Sequence, residues 1–421
     1  MKSVRFLCAC LALVGLAARA HDAPKSSWTL RPLLSAQGGY DDNVFLQDRS
    51  ATVIPGGVPD RAGSWFTRVA GGLDVTWKRS PALQLDAGYS VGLVRYEAFS
   101  DERHDDHRVD LGAQGKAGPW SYSLKGNVVL VDGADDSPVY GHAGGAPAIG
   151  GAAVRARRDQ LNTKLAGQIT RTFDAGFMRG AADSVSQDFQ TRHASTPGYA
   201  NYVDRSEWTV GVDGGRFVVD DFAVVVGVRT GEQRQADLLG VSHNYTNTLT
   251  RVLLGVEGHP RPDLSVRLAG GPDFRHYGPD VANGFDRSRT GRYLEASVSW
   301  KPDAKNVVGF TYKDFLWLSS GGRGAYQNSA GNVQWKHEVN ARWSATLAAD
   351  VQVGDNHDYG TTANERVDWI YTGTLGVTRT FGPKTKLDLS LSREWSESAV
   401  ANKPGREYTH WLTTVGVSRM F

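Results

Sequence analysis

Residues 408–421 read YTHWLTTVGVSRMF and form the last stretch of the 421-residue chain. Large apolar side chains fall on one face of this stretch, and these are Trp411, Val415, Val417 and Phe421. Small or polar side chains fall on the other face, and these are His410, Thr414, Gly416 and Ser418. A period of two is typical of a β-strand whose faces meet different surroundings. The stretch therefore predicts a half-buried strand.

The same alternation recurs along the chain, most clearly at residues 83–93 and 387–392. About eighteen segments of this kind follow one another, and short turns alternate with longer polar loops between them. This rhythm predicts one antiparallel, up-and-down, all-β domain that spans residues 21–421. An even number of strands places both ends of the domain on the side of the short turns.

The first twenty residues have the pattern of a secretory signal peptide. Lys2 and Arg5 precede a short apolar run, and Ala18-Arg19-Ala20 has the small-residue spacing of a cleavage site. We expect cleavage after this triplet. Both cysteines of the chain, Cys8 and Cys10, lie within the removed segment, so we expect no disulfide in the exported domain.

Charge and hydropathy narrow the class of protein. The formal net charge is +2, and removal of the three basic residues of the signal segment leaves −1 for residues 21–421. A nucleic-acid-binding surface needs a basic excess, so we expect no nucleic-acid partner. The mean hydropathy is −0.38, and no apolar run after the signal segment approaches the ~20 residues of a spanning helix. The 49 glycines and 12 tryptophans suit the interior and the interfacial rings of a membrane barrel.

Strands can cross a bilayer only as a closed sheet, because unpaired backbone amides are too costly in hydrocarbon. We therefore predict a transmembrane antiparallel β-barrel of about eighteen strands, with short periplasmic turns and long extracellular loops. Tryptophans near strand ends are expected to form two interfacial rings, and they are Trp65, Trp77, Trp120, Trp300, Trp343 and Trp395.

Charged side chains of both signs fall on the face opposite the apolar one. We predict that they line a pore, and the set comprises Arg68, Asp74, Asp86, Arg108, Asp110, Lys125, Lys164, Arg229, Arg267, Glu295, Lys313, Asp350 and Asp388. A pore of mixed charge passes polar solutes and discriminates weakly by sign. The alternative is that these groups pair across the wall and only solvate it.

No segment carries a recognisable catalytic motif. His104-Asp-Asp-His107 contains metal-ligand residue types, but it reads as a solvated loop of mixed charge. Neither Gly-x-Ser-x-Gly, His-Glu-x-x-His nor a phosphate-binding glycine loop occurs. We predict no enzyme activity, no catalytic residue, no bound metal and no cofactor. Arg155, Arg157 and Arg158 end the longest loop, where they would favour anionic solutes if the loop folded inward.

Residues 38–45, Gly-Gly-Tyr-Asp-Asp-Asn-Val-Phe, resemble a feature of the β-barrel porin type 2 family. In that family the first strand ends in Tyr-Asp-Asp-Asn before a surface loop, so the matching positions are Tyr40, Asp41, Asp42 and Asn43. The final strand with its terminal Phe421 likewise resembles the assembly signal of bacterial outer-membrane barrels. Arg419 departs from that signal, which often has an apolar residue at this position.

The resemblance implies a location in the outer membrane of a Gram-negative bacterium, with membrane lipid and the barrel-assembly machinery as partners. Related barrels are encoded with systems that make and export exopolysaccharide. It therefore implies passage of a polysaccharide or another polar solute, together with periplasmic export components. It carries over no catalytic residue.

Three functions are compatible with the sequence. The first is a channel that exports an extracellular polysaccharide. The second is a general diffusion porin for small polar solutes, and the third is a structural or adhesive surface barrel with a blocked lumen. Conductance after reconstitution separates an open barrel from a blocked one.

Overall fold

The computed structural model describes residues 27–44, 61–132, 142–143, 154–155, 160–189, 204–237, 243–318, 324–355, 367–398 and 408–421. The strands in chain order are β1 Ser27–Asp41, β2 Ser64–Ser80, β3 Leu83–Tyr96, β4 His104–Ala117, β5 Trp120–Asp132, β6 His142–Ala143, β7 Val154–Arg155, β8 Gln160–Phe173, β9 Gly176–Phe189, β10 Arg205–Val219, β11 Phe222–Gln235, β12 Asn247–Arg261, β13 Leu264–Tyr277, β14 Ser288–Trp300, β15 Asn306–Leu318, β16 Ala325–Asn340, β17 Trp343–Asp355, β18 Val367–Phe381, β19 Thr385–Ser398 and β20 Tyr408–Met420. A 3-10 turn covers Ser100–Glu102. The predicted signal segment, Arg157 and Arg158 lie outside the described residues.

Eighteen of these strands form one closed antiparallel sheet. Each strand pairs with the next barrel strand in the chain, and β1 pairs with both β2 and β20. Strands β6 and β7 pair only with each other. Closure gives each of these eighteen strands two partners, so the backbone N–H and C=O groups can form hydrogen bonds within the hydrocarbon layer. The predicted fold class, a transmembrane up-and-down β-barrel of about eighteen strands, is confirmed.

The connections alternate in length. At one end of the barrel, turns of two to five residues join β2 to β3, β4 to β5 and so on around the wall. Gly118 and Gly382 occupy two of these turns with φ values of 56° and 67°, a backbone conformation that glycine adopts without steric cost. The start of β1 and the end of β20 lie at this same end. At the other end, connections of six or more residues join the strands.

Contacts that skip strands identify the inner face of the wall. Arg179 on β9 donates to Glu257 on β12 at 2.8 Å, although two strands lie between them. Such a contact forms only on the concave side. The strand register carries this assignment around the barrel, because alternate residues share a face. The opposite series carries exposed apolar side chains, such as Val224, Val226 and Val228 on β11.

Aromatic side chains gather on the outer face near strand ends. All six tryptophans that we expected in the interfacial rings belong to the outward series of the register. Trp28 stacks on Trp77 with ring centroids 5.6 Å apart, and Tyr371 stacks on Trp395 at 5.2 Å. These positions fit rings that meet the two lipid–water boundaries.

One segment differs from its sequence-based interpretation. Residues 104–107 were expected in a solvated loop, but they form the beginning of β4 and pair with β3. Tyr89 Oη lies 2.9 Å from His107 Nδ1, and Arg95 pairs with Asp105 at 2.8 Å. Both faces of the strand are polar there, so the apolar alternation that marks a strand is missing.

No group of three or more His, Cys, Asp or Glu side chains is placed to hold a metal ion in the part of the chain that the structure describes. The same ranges contain no helix that is long and apolar enough to cross a membrane.

The ends of β15 and β16 furthest from the short turns leave the wall and fold into the lumen. β15 pairs with β14 only as far as Asp314, whereas its pairing with β16 continues to Leu318. We call residues 314–318 and 325–329 the inward hairpin. Its Trp317 and Tyr326 pack with Ile370 of β18 and Val185 of β9. Since β9 and β18 lie nine positions apart in an eighteen-strand ring, the hairpin bridges the lumen from side to side.

The other side of the inward hairpin packs against the segment that joins β13 to β14. Leu316 and Leu318 are buried with Tyr245 and Tyr277 in one apolar cluster, and Val281 and Phe285 pack against it. The rings of Tyr245 and Tyr277 both meet Phe285 edge-on, with centroids 5.1 and 5.0 Å apart. The buried apolar core of this barrel therefore lies largely inside the lumen, around the hairpin.

Candidate functional site

The thirteen side chains predicted to line the pore all belong to the inward series of the register. Arg267 and Glu295 come together, with Nη2 3.0 Å from Oε1. Several carboxylates of this set instead accept hydrogen bonds from neutral neighbours, and the donors are Asn127 to Asp110, Asn332 to Asp350 and Thr378 to Asp388. That these thirteen border a conducting path stays a prediction.

A first cluster of buried charge lies on the inner face of β9 to β12. Asp213 accepts hydrogen bonds from Arg179 at 2.7 Å and from Arg229 at 2.6 and 2.8 Å. The Arg179 guanidinium also binds both carboxylate oxygens of Glu257, at 2.8 and 2.9 Å. Two arginines therefore share two carboxylates. Bidentate geometry of this kind fixes the side chains as well as their charge.

A second cluster lies nearer the inward hairpin, on β10, β12 and β13. Arg251 binds both oxygens of Glu207 at 3.1 and 3.2 Å, and its Nε donates to Asp273 at 3.1 Å. Arg275 donates to both oxygens of Asp273, at 2.8 and 2.6 Å. Arg275 and Asp273 have fully buried side chains. Buried charges are tolerated when they are paired in this way.

Three polar side chains of the wall hold the inward hairpin by its backbone. Gln233 Nε2 donates to the Leu316 carbonyl at 2.9 Å, and Arg275 Nη2 donates to the same carbonyl at 3.4 Å. Arg205 donates to the Leu318 carbonyl, and its guanidinium lies 5.3 Å from the ring centre of Trp317. These bonds satisfy carbonyl groups that have no neighbouring wall strand to pair with where the hairpin leaves the wall.

A cavity of about 580 Å³ remains in the lumen beside the hairpin. Its wall is formed by β13 to β19, and Ile370, which contacts the hairpin, is one of its lining residues. Seven of the lining residues stand on one row of the sheet, in which each residue faces the next across a strand pair. The row runs Arg267, Ser297, Thr311, Asn332, Asp350, Thr372 and Glu394. It leads from a basic side chain through hydroxyls and an amide to two carboxylates.

Lys313 lies one row nearer the hairpin and also lines this cavity. Its ammonium group is 4.7 Å from the ring centre of Phe315 and 5.8 Å from that of Tyr293. Aromatic faces attract a cation without neutralising it. Tyr293 donates its hydroxyl to Glu295 at 2.7 Å.

The family-like motif lies at the seam where the first and last barrel strands meet. The Asp42 amide donates to the Trp411 carbonyl at 3.1 Å, and the Trp411 amide donates to the Asp42 carboxylate at 2.7 Å. Asp41 accepts from the Asn43 amide at 2.9 Å, and Asn43 Nδ2 donates to the Thr409 carbonyl at 2.9 Å. The motif therefore joins the end of β1 to the start of β20.

The remaining motif positions complete this seam. His410 Nε2 lies 3.0 Å from Asp41, and the Tyr96 hydroxyl donates to the same carboxylate at 3.2 Å. Tyr40 packs on Trp65 on the outer face, with ring centroids 5.2 Å apart. At the opposite end of the seam, the Phe421 amide donates to the Pro32 carbonyl at 3.0 Å. The role of Phe421 in assembly stays a prediction.

Sequence reasoning missed every charge of the two clusters except Arg229. The missed residues are Arg179, Glu207, Asp213, Arg251, Glu257, Asp273 and Arg275. The alternation indicated the face of most of them, since a small or polar residue lies two positions away, but Arg251 lies between Leu249 and Leu253. It did not indicate their pairing, because partners such as Arg179 and Glu257 stand 78 residues apart in the chain.

No family model and no curated protein matches this chain. Among solved structures, it is similar to the outer membrane protein OpdK of Pseudomonas aeruginosa, with 12% identity, a TM-score of 0.44, and coverage of 93% of this chain and 99% of that chain. It is also similar to a BenF-like porin of Pseudomonas fluorescens Pf-5, with 8% identity, a TM-score of 0.47, and coverage of 94% and 99%. Neither is described as an exopolysaccharide exporter. At these identities and TM-scores nothing about solutes transfers from those proteins to this chain.

Proposed function

We propose that this protein is an outer-membrane channel for small polar solutes. The observation that carries the proposal is the inward hairpin, which bridges the lumen from β9 to β18 and leaves a charged cavity of about 580 Å³ beside it. Sites for small molecules have volumes of about 300–1,000 Å³. A lumen narrowed in this way suits a solute of that size, and its polar wall replaces part of the hydration that the solute loses.

Export of a polysaccharide, the function that the resemblance implies, fits this geometry less well. A polymer needs a continuous path that stays open along its whole length. Here the hairpin is held by three hydrogen-bonding side chains and by two apolar clusters. The diffusion channel is therefore the better supported function, and partnership with periplasmic export components is retained only as a prediction.

Reconstitution of the purified protein tests the proposal. In planar bilayers we expect discrete conductance steps, and in a vesicle-swelling assay we expect fast entry of a monosaccharide with entry falling steeply for each longer oligosaccharide. Absence of any conductance would favour the blocked structural barrel. Entry that does not depend on oligosaccharide length would favour polysaccharide export.

A variant separates the hairpin from the rest of the barrel in the same assay. Replacing residues 316–327 by a short glycine–serine linker removes the part that crosses the lumen and leaves the wall strands intact. We expect a several-fold larger conductance and a weaker dependence on solute length. Unchanged values would mean that the hairpin does not set the size limit.

A further inference from the structure

The cavity beside the inward hairpin carries unpaired charges of opposite sign on different parts of its wall. We propose that it is a site for zwitterionic solutes, small molecules that carry both an ammonium and a carboxylate group. This inference rests on the proposed function, and it names the class of solute that the channel passes best.

The arginines of the two buried clusters already have partners. Arg179, Arg229, Arg251 and Arg275 each bind a carboxylate, and so present little free charge to a solute. An additional anion would have to compete with Asp213, Glu207 or Asp273 for them. The two buried clusters therefore stabilise the wall rather than attract a solute.

Lys313 is different. Its side chain is exposed to the lumen, and among the described residues no carboxylate lies within ion-pair distance of it. Its ring contacts are Phe315 and Tyr293, which attract the ammonium group without neutralising it. Glu295 faces it across the strand pair, and Asp183 and Glu207 act on it electrostatically without forming an ion pair. Arg267 on the neighbouring row adds positive charge that its pairing with Glu295 only partly neutralises, since its side chain is 48% exposed.

The opposite charge lies on β17 and β19. Asp350 is exposed to the lumen and accepts a hydrogen bond from Asn332 at 2.6 Å, and no cation of the described chain lies within ion-pair distance of it. Glu394 stands two strands further along the same row, where it accepts from Thr372 at 3.2 Å and from Tyr408 at 3.0 Å. These are neutral donors, so both carboxylates keep their charge toward the cavity.

The two charges lie on different strands of the cavity wall. Lys313 and Asp350 lie two strands and two residues apart, which corresponds to roughly 12 Å between their Cα atoms from strand spacing and rise. The ammonium group of Lys313 lies toward Phe315 and Tyr293, on the side away from Asp350, so a solute that meets both charges has to extend across the cavity. Thr311, Asn332 and Gln352 line the space between and supply hydrogen bonds to its polar groups.

The arrangement favours a dipolar solute over a singly charged one. An anion is attracted by Lys313 and repelled by Asp350, and a cation meets the reverse. A zwitterion oriented along the row is attracted at both ends. Because the wall excludes part of the water, these interactions are stronger than in bulk solution.

Permeation of three matched probes into vesicles that contain the full-length protein tests the proposal. The probes are 4-aminobutyrate, butyrate and butylammonium, which share one chain length and differ in charge. At low concentration we expect 4-aminobutyrate to enter roughly two- to five-fold faster than either other probe, the range that an exposed ion pair provides. Lys313→Gln should slow 4-aminobutyrate and butyrate, and Asp350→Asn should slow 4-aminobutyrate and butylammonium.

Lys116→Gln and Asp174→Asn are the matched controls. Lys116 lies near the end of β4 and Asp174 in the short turn between β8 and β9, and neither lines the cavity or belongs to the predicted pore-lining set, so their removal should leave the ratio of the three rates unchanged. Retention of the compact band on unheated gels shows that each variant is folded. Equal rates for the three wild-type probes, or a ratio that neither Lys313→Gln nor Asp350→Asn alters, would overturn the zwitterion site while the channel itself stands. Entry of no probe, without conductance, would overturn the proposed function as well.

Discussion

Single glycines on the inner wall decide how tightly the charged clusters can form. A Cβ atom at Gly227 would lie 2.2 Å from Asp213 Oδ1, so the absence of a side chain makes room for the carboxylate that Arg179 and Arg229 share. Gly227→Ala should displace that carboxylate and weaken both ion pairs. Breaking a buried pair outright costs about 3–5 kcal/mol, so we expect a loss below that range.

The temperature at which the folded band disappears on unheated gels measures this loss. The reversal potential in a salt gradient should also move toward anion selectivity, because two arginines lose part of their neutralisation. Gly309→Ala is the control, since Gly309 also points inward and a Cβ atom there meets nothing within 4 Å. Equal behaviour of the two variants would contradict the role assigned to Gly227.

A carboxylate in a short turn makes a pH-dependent contribution to the stability of the folded state. Asp303, between β14 and β15, accepts hydrogen bonds from the amides of Lys305 and Asn306 at 2.7 and 2.9 Å and from the Asn306 side chain at 2.9 Å. These bonds, above all the one from the Asn306 side chain, hold the pKa of Asp303 below its ordinary value of 3.8. A depressed carboxylate pKa stabilises the folded state above the ordinary value, and the gain is lost as the pH falls through the folded one.

Asp303→Ala should therefore unfold at a lower temperature than the wild type at neutral pH. The difference should shrink as the pH falls below 3.8 and approaches the lower pKa of the folded carboxyl, at which the wild-type side chain becomes protonated. Asp303→Asn keeps one acceptor oxygen and should lie between the two. A gap between wild type and Asp303→Ala that stays constant down to strongly acidic pH would show that the charge of Asp303 does not matter.

At the scale of elements, the inward hairpin is held at its tip by Arg205. This guanidinium binds Gln187 at 3.0 and 2.8 Å, donates to the Leu318 carbonyl and stacks on Trp317. Arg205→Ala removes all of these contacts and leaves the apolar clusters. We expect a hairpin that detaches more often, and hence a noisier single-channel current with a larger mean conductance.

Arg108→Ala is the matched change for this experiment. Arg108 points inward on β4, on a part of the wall that does not contact the hairpin. Its removal should alter ion selectivity slightly and leave the current noise unchanged. If Arg205→Ala is as quiet as the wild type, the apolar clusters and the bonds from Gln233 and Arg275 hold the hairpin without Arg205.

The elements themselves differ in how well the sequence predicts them. Strands within hydrocarbon, such as β19 with Leu387, Leu389 and Leu391 outward, must alternate, so their faces and order follow from the pattern. The start of β4 is polar on both faces, so the alternation did not identify it as part of a strand. The inward hairpin has ordinary strand periodicity, and only its apolar residues on both faces, Leu316 beside Trp317, hint that it meets protein on two sides.

At the scale of the whole molecule, one seam closes the barrel. β1 pairs with β20 over nine residue pairs but with β2 over fifteen, and the motif at residues 40–43 adds side-chain bonds at one end of the shorter ladder. The partners Asp42 and Trp411 are 369 residues apart. Loop-closure entropy grows with the logarithm of that separation, so this pairing costs more to form than any hairpin contact.

The seam therefore should limit how fast the barrel closes. Asp42→Ala removes the bond to the Trp411 amide and the ion pair with Arg61. Asp110→Ala removes a comparable bond from Asn127, which is only 17 residues away. Both should lower stability by about 1 kcal/mol. Only Asp42→Ala should also slow refolding into vesicles severalfold. A local hairpin such as β4–β5 forms before the ring closes, whereas the seam forms only when the ring closes. The appearance of the compact gel band over time measures the rate, and equal slowing by both variants would mean that closure at the seam is not the slow step.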